Sequence, residues 1–157
     1  MKGYEMAALI VLAILIIFFF YIASAKADKR RITLVNAEGE KIGVDAEIAR
    51  SPPVMMKGLM GRKSIGEYEG MVFVFPREGI HSFWMLNTTI PLDAIFISSD
   101  GGVVDVIQME PCGFNVTKCR SYVPKAASLY VLEVNKGFSE KNAIVPGKSS
   151  LVLPVPG

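Results

Sequence analysis

Hydrophobic and polar positions divide the chain into two unequal parts. From Met6 to Ala25 the run MAALIVLAILIIFFFYIASA carries neither a charge nor a Pro. A helix rising ~1.5 Å per residue needs about 20 such residues to cross ~30 Å of hydrocarbon, so this run reads as a membrane helix. Beyond it the pattern breaks into short stretches separated by turns. Ile42, Val44, Ala46 and Ile48 recur with period two, as on a half-buried strand, and residues 31–36 precede them across Ala37-Glu38-Gly39-Glu40 as the other arm of a hairpin. Gly70 to Phe75 and His81 to Leu86 are apolar on both alternating faces, which predicts two central strands covered on both sides. Leu92 to Ile97 and Val103 to Met109 flank Ser99-Asp100-Gly101-Gly102, a hairpin turn. Leu129 to Asn135 and Ser150 to Leu153 supply further strands.

Two short helices interrupt the strands. Ser51-Pro52 opens one that runs from Pro53 to about Met60, with a hydroxyl placed to cap it and a Pro where a missing N–H costs nothing. Gly137 to Asn142 makes one helical turn. The expected architecture is therefore mainly β: one compact sandwich or barrel-like domain with one or two short helices, preceded by a transmembrane helix. Residues 1–25 form the anchor or a signal sequence, 26–30 a polar tether and 31–157 the domain. Ala23-Ser24-Ala25 suits signal peptidase, but the apolar run exceeds the ~7–15 residues of a secretory core, which favours an uncleaved anchor.

Charge narrows the partners. The net charge is +2 and no basic stripe with interleaved aromatics occurs, so nucleic acid is not an expected partner. Membrane contact through residues 6–25 is. Orientation draws on opposed signals. Lys26, Lys29, Arg30 and Arg31 follow the apolar run and favour a cytoplasmic domain. Cys112 and Cys119, close enough to bridge within one loop, favour an extracytoplasmic one, as do the glycosylation acceptors at Asn87 and Asn115. The cysteines carry most weight, so a single-pass membrane protein with its domain outside is expected.

Candidate chemistry gathers at HSFWMLNTTIPLD, residues 81–93. Asp93 shares a strand face with Ile95 and Ile97, and a carboxylate buried there needs partners. Arg62, His81, Asn87 and Thr88 are the candidates. The expected role of this cluster is a staple that ties a bend before Pro91 to the acid. A ligand pocket of the same groups, flanked by Trp84 and the Met-rich helix with Met60, is the second reading. Glu133, in line with Leu129 and Val131, is another acid expected to be buried. Two Cys and one His, with no CxxC or HxxxH spacing, exclude a self-sufficient zinc site, and no cofactor is implied.

GLMGR at 58–62, GMVFVF at 70–75, HSFWMLNTTIPLD, DGGVVDV at 100–106 and YVLEVNKG at 130–137 together resemble the family called domain of unknown function 192, or uncharacterised protein family 0127. The resemblance runs from about Ile32 to Leu153. It implies one small mainly-β domain, often exported or membrane-attached, with no established activity. The family pattern falls on Gly58, Leu59, Met60, Arg62, Gly70, Met71, Phe83, Trp84, Met85, Asn87, Thr88, Pro91, Leu92 and Asp93. Leu86 stands where a Lys is common.

The leading functional expectation is a membrane-anchored, non-catalytic module that binds a small ligand or a cell-surface component through Met60, Arg62, Trp84, Asn87, Thr88 and Asp93. A hydrolase-like enzyme using Asp93, His81 or Glu133 is the alternative, with a purely structural interaction module as the third.

Overall fold

The computed structural model describes residues 3–24, 27–114, 117 and 119–153, with the side chains of the N-terminal helix described over 4–17. That helix, α1 (Gly3–Ser24), takes in the apolar run as far as Ser24, and its described side chains are exposed. Over the described residues no helix is long and apolar enough to cross a membrane.

The rest is one curled sheet. β1 (Asp28–Val35) and β2 (Lys41–Ala49) form the predicted hairpin, then come α2 (Pro52–Lys57), β3 (Glu69–Gly79), β4 (Leu92–Ile97), β5 (Val103–Met109), β6 (Ser128–Asn135), α3 (Phe138–Lys141) and β7 (Ser150–Leu151). Their order across the sheet is β5-β4-β6-β3-β2-β1-β7, antiparallel except where β2 meets β3. β7 lies on β1 and also reaches the far edge. Ser150 bridges to Gly102, and the Leu151 N–H donates to the Gly101 carbonyl at 2.7 Å. The two edges thus meet at one end, which makes a half-barrel rather than an open sandwich. Gly101 has φ 91°, and a Cβ there would stand 2.6 Å from the Leu151 carbonyl oxygen, so this closure needs glycine.

Period two explains the two cores. Ile32, Leu34, Val44, Ala46, Val72, Ile95, Ile97, Val103, Leu132 and Leu151, drawn from all seven strands, fill the inside of the curl. Met71, Phe73, Leu92, Ala94, Phe96 and Val131 face outwards and are buried just as fully. Their cover is α2, the irregular run 80–91 and the loop after β5, which bring Val54, Leu59, Met85, Ile90 and Tyr122 onto the sheet.

Several expected elements differ. His81 to Leu86 is not a central strand: it has only an isolated bridge from Phe83 to Tyr122 and lies over the sheet instead of within it. Apolar residues on both sides fit a cover segment as well as a buried strand, because Met85 points to the core while Trp84 is 47% exposed. Trp84 is accordingly not a core residue. Conversely, β3 runs past Pro76 to Gly79, beyond the Phe75 end of the expected strand. β2 pairs with β3 only as far as Phe73, and the β6 pairing shifts register between Val74 and Gly79, so no ladder bond is asked of the proline nitrogen. α2 stops at Lys57, where Gly58 has φ 47°, and Ser51 starts it by position without a side-chain cap bond.

Asp93 is fully buried on the inner face. Its carboxylate accepts the backbone N–H groups of Gly137 at 3.2 Å and Ser139 at 2.9 Å, at the start of α3. None of the expected side-chain partners reaches it. The acid is a staple, but it fastens α3 and Phe138 into the end of the half-barrel. Replacing Asp93 with Ala strands two buried donors, which predicts a loss of roughly 2–4 kcal/mol in unfolding free energy. Chemical denaturation checks this, and an unchanged midpoint would refute the staple.

Candidate functional site

Between α2 and the 82–88 segment the cover leaves a cleft of about 490 Å³ over the outer face of the sheet. Met55, Met56 and Met60 form one wall, Phe83, Trp84 and Leu86 the other, and Phe73 and Phe75 of β3 line it below. One ionisable group opens onto it from the sheet: Glu133 of β6. In register it lies between Met71 of β3 and Ala94 of β4. The residue is only 5% exposed, and among the described residues its carboxyl has no hydrogen-bond partner. Burial alone pushes its pKa up to about 8. At neutral pH the carboxyl is therefore mostly protonated, a hydrogen-bond donor set in an apolar floor.

The family-pattern residues hold the cover in place. The Arg62 guanidinium grips Glu47 of β2 with both Nη atoms, at 2.6 and 2.7 Å. The Thr89 hydroxyl donates to the Arg62 carbonyl at 2.9 Å, and the Gly61 N–H to the Asn87 carbonyl at 2.8 Å. Asn87 adopts φ 51°, a left-handed bend that Asn tolerates, and its own N–H reaches the Gly113 carbonyl at 2.8 Å. Gly113 belongs to the loop closed by the Cys112–Cys119 disulfide, with S–S 1.98 Å. The bend beside the cleft is thus tied to a covalent loop.

Of the sequence-predicted site residues, Met60, Trp84 and Thr88 line this cleft. Arg62 and Asn87 support it: Arg62 faces a second hollow of about 290 Å³, lined also by Ala27, Lys29 and Glu47, on the other side of Lys57 and Gly58. Asp93 lies on the opposite face of the sheet from Glu133, so these acids cannot act on one bond. His81 stacks on Phe75, ring centroids 3.6 Å apart, away from Asp93. Asn115 lies outside the described residues. The Met-rich helix expected beside the pocket brings Met55 and Met56 to the lining, whereas Phe73, Phe75, Phe83 and Leu86 were not foreseen there. Phe73 and Phe75 share parity on β3, but nothing in that parity distinguishes a cleft floor from packed core.

The profile of the domain of unknown function 192 family, described as an uncharacterized ACR, matches residues 33–151, well over half of the chain. The chain belongs to this family. Among family members, UPF0127 protein PH1112 of Pyrococcus horikoshii is 35% identical over 108 residues, 66% of this chain and 78% of that protein. UPF0127 protein PYRAB11210 of Pyrococcus abyssi is 38% identical over 68 residues, 40% of this chain and 50% of its own length. The half-barrel is also similar to two crystal structures. One, from Sinorhizobium meliloti and named as a candidate transcription regulator, has a TM-score of 0.73 at 28% identity, covering 82% of this chain and 96% of that one. The other, a protein of unknown function from Novosphingobium aromaticivorans, has a TM-score of 0.71 at 27% identity, covering 84% and 96%. Family membership places the fold and leaves the chemistry to the cleft.

A buried acid whose pKa is raised by the fold makes stability depend on pH. Between the ordinary 4.5 and about 8 the unfolded chain binds fewer protons at Glu133 than the folded one. Stability from this group is therefore full below pH ~4.5 and falls as pH rises through that window, by up to about 1.4 kcal/mol per unit. Glu133→Gln should remove the slope, so that its advantage over wild type grows from pH 5 to 8 in paired denaturant titrations. Parallel curves would show that the carboxyl ionises freely.

Proposed function

We propose that this chain is a membrane-tethered, non-catalytic binding domain that holds a small, mainly apolar ligand in the cleft between α2 and the 82–88 segment. The observation that carries the reading is Glu133: a nearly fully buried residue whose carboxyl has no hydrogen-bond partner among the described residues and opens onto an apolar cleft. Such a group destabilises a fold that has nothing to place against it, and a ligand is what the cleft has room for. The half-exposed Trp84 and the exposed Met56 at the rim supply adaptable apolar contact.

The uncharged run Met6–Ala25 supports a single membrane anchor, and the disulfide supports a domain on the oxidising, extracytoplasmic side. Ala27, two residues past that run, packs against the outer core and lines the hollow next to the cleft, so an anchored domain would carry its site near the bilayer surface. Catalysis finds less support, because Asp93, His81 and Glu133 do not converge.

The test is a small-molecule screen by thermal shift on the full chain in nanodiscs, followed by titration of the hits on variants. Trp84→Ala, at a half-exposed site, should leave the melting temperature within about 2 °C and weaken hits roughly ten-fold, the loss of an aromatic contact worth about 1.4 kcal/mol. Full binding by a folded Trp84→Ala protein would place the ligand elsewhere.

A further inference from the structure

We infer that the cleft selects a ligand whose buried end is an uncharged hydrogen-bond acceptor, a ketone, ester or amide carbonyl on a compact apolar body, and that Glu133 donates its carboxyl proton to that oxygen in a hydrogen bond. The inference rests on the binding role proposed for the cleft and specifies its chemistry.

Three observations favour an acceptor over the obvious rival, a cationic amine. First, the walls are thioether, aliphatic and aromatic, so a neutral carboxyl meets a neutral ligand without creating charge in a poorly solvated place. Second, the charges around the site do not welcome a cation. α2 contributes Lys57, which lines the cleft and makes no ion pair among the described residues. β3 contributes Glu69 on the same face, already bound to Lys29, and β2 contributes Glu47, held in the Arg62 fork. β4 and the 82–88 segment bring no charged side chain to this face, and the His81 ring lies behind Phe75. Among the described residues lining the cleft, the one unpaired charge is thus positive. Third, burial pushes the Glu133 carboxyl up, and among the described residues no cation or donor faces it to keep it ionised.

Three probes of nearly equal shape separate the readings: acetophenone, isopropylbenzene and 1-phenylethylamine. The readout is the methyl resonances of Met55 and Met60 in [13C-methyl]methionine-labelled full chain, in nanodiscs. At about pH 6 acetophenone should bind about five-fold more tightly than isopropylbenzene, the worth of one hydrogen bond, and the amine least. Raising the pH above 9 should abolish the acetophenone preference and weaken both neutral probes, because each would then cover an ionised carboxylate. Glu133→Gln, which still donates, should keep the preference at every pH. Glu133→Leu should lose it.

Tighter binding of the amine, equal binding of all three, or a preference that survives Glu133→Leu would each overturn the inference while leaving a binding cleft. Failure of every probe to move the Met55 and Met60 methyls would overturn the cleft reading itself.

Discussion

A sheet that is apolar on both faces must find cover for both, and this constraint shapes the whole domain. The inner face finds it by curling. Seven strands wrap around Leu34, Val72, Ile95 and Leu132, β7 draws the two edges together at Gly101–Gly102, and α3 plugs the end through the Asp93 carboxylate. Nothing in the sheet can do the same for the outer face. Met71, Phe73, Phe96 and Val131 are kept from water by a six-residue helix and an irregular run instead.

Segments this short have little hydrogen-bonded structure of their own, so their position depends on side chains and caps. The Arg62–Glu47 fork, the Thr89 and Gly61 bonds across the two pieces, and the disulfide loop under Asn87 fix the cover at three points. They hold it along its edges and leave a gap over Glu133. A fold selected only for stability would place Val or Leu there. A carboxyl kept neutral by its surroundings lowers stability at neutral pH, and its presence fits a site whose ligand completes it.

Much of the sheet was legible in the sequence because period two is a strong signal. The β1–β2 hairpin, β4, β5 and the turn at Ser99–Gly102 stand close to where alternation and turn residues put them. Residues 81–86 were not, since alternation with apolar residues at both parities describes a strand between two layers and a cover lying on one. Asp93 was recognisable as a stapled acid from its parity with Ile95. Its partners were not, because backbone N–H groups 44 and 46 residues away leave no mark in side-chain identity. For the cleft, Trp84, Met60 and Thr88 were within reach and the phenylalanines of β3 were not. Whether an outward residue lies under cover or under a gap depends on where the cover ends.

The proposed binding role turns on Glu133 standing protonated beneath the apolar cleft at neutral pH. Following its side-chain carboxyl carbon by 13C NMR across pH 3 to 10 tests this directly. No titration near 4.5 and a single transition at about 8 are expected. A transition in the ordinary carboxylate range would mean that water or a partner reaches the group freely, and the site proposed around it would not stand.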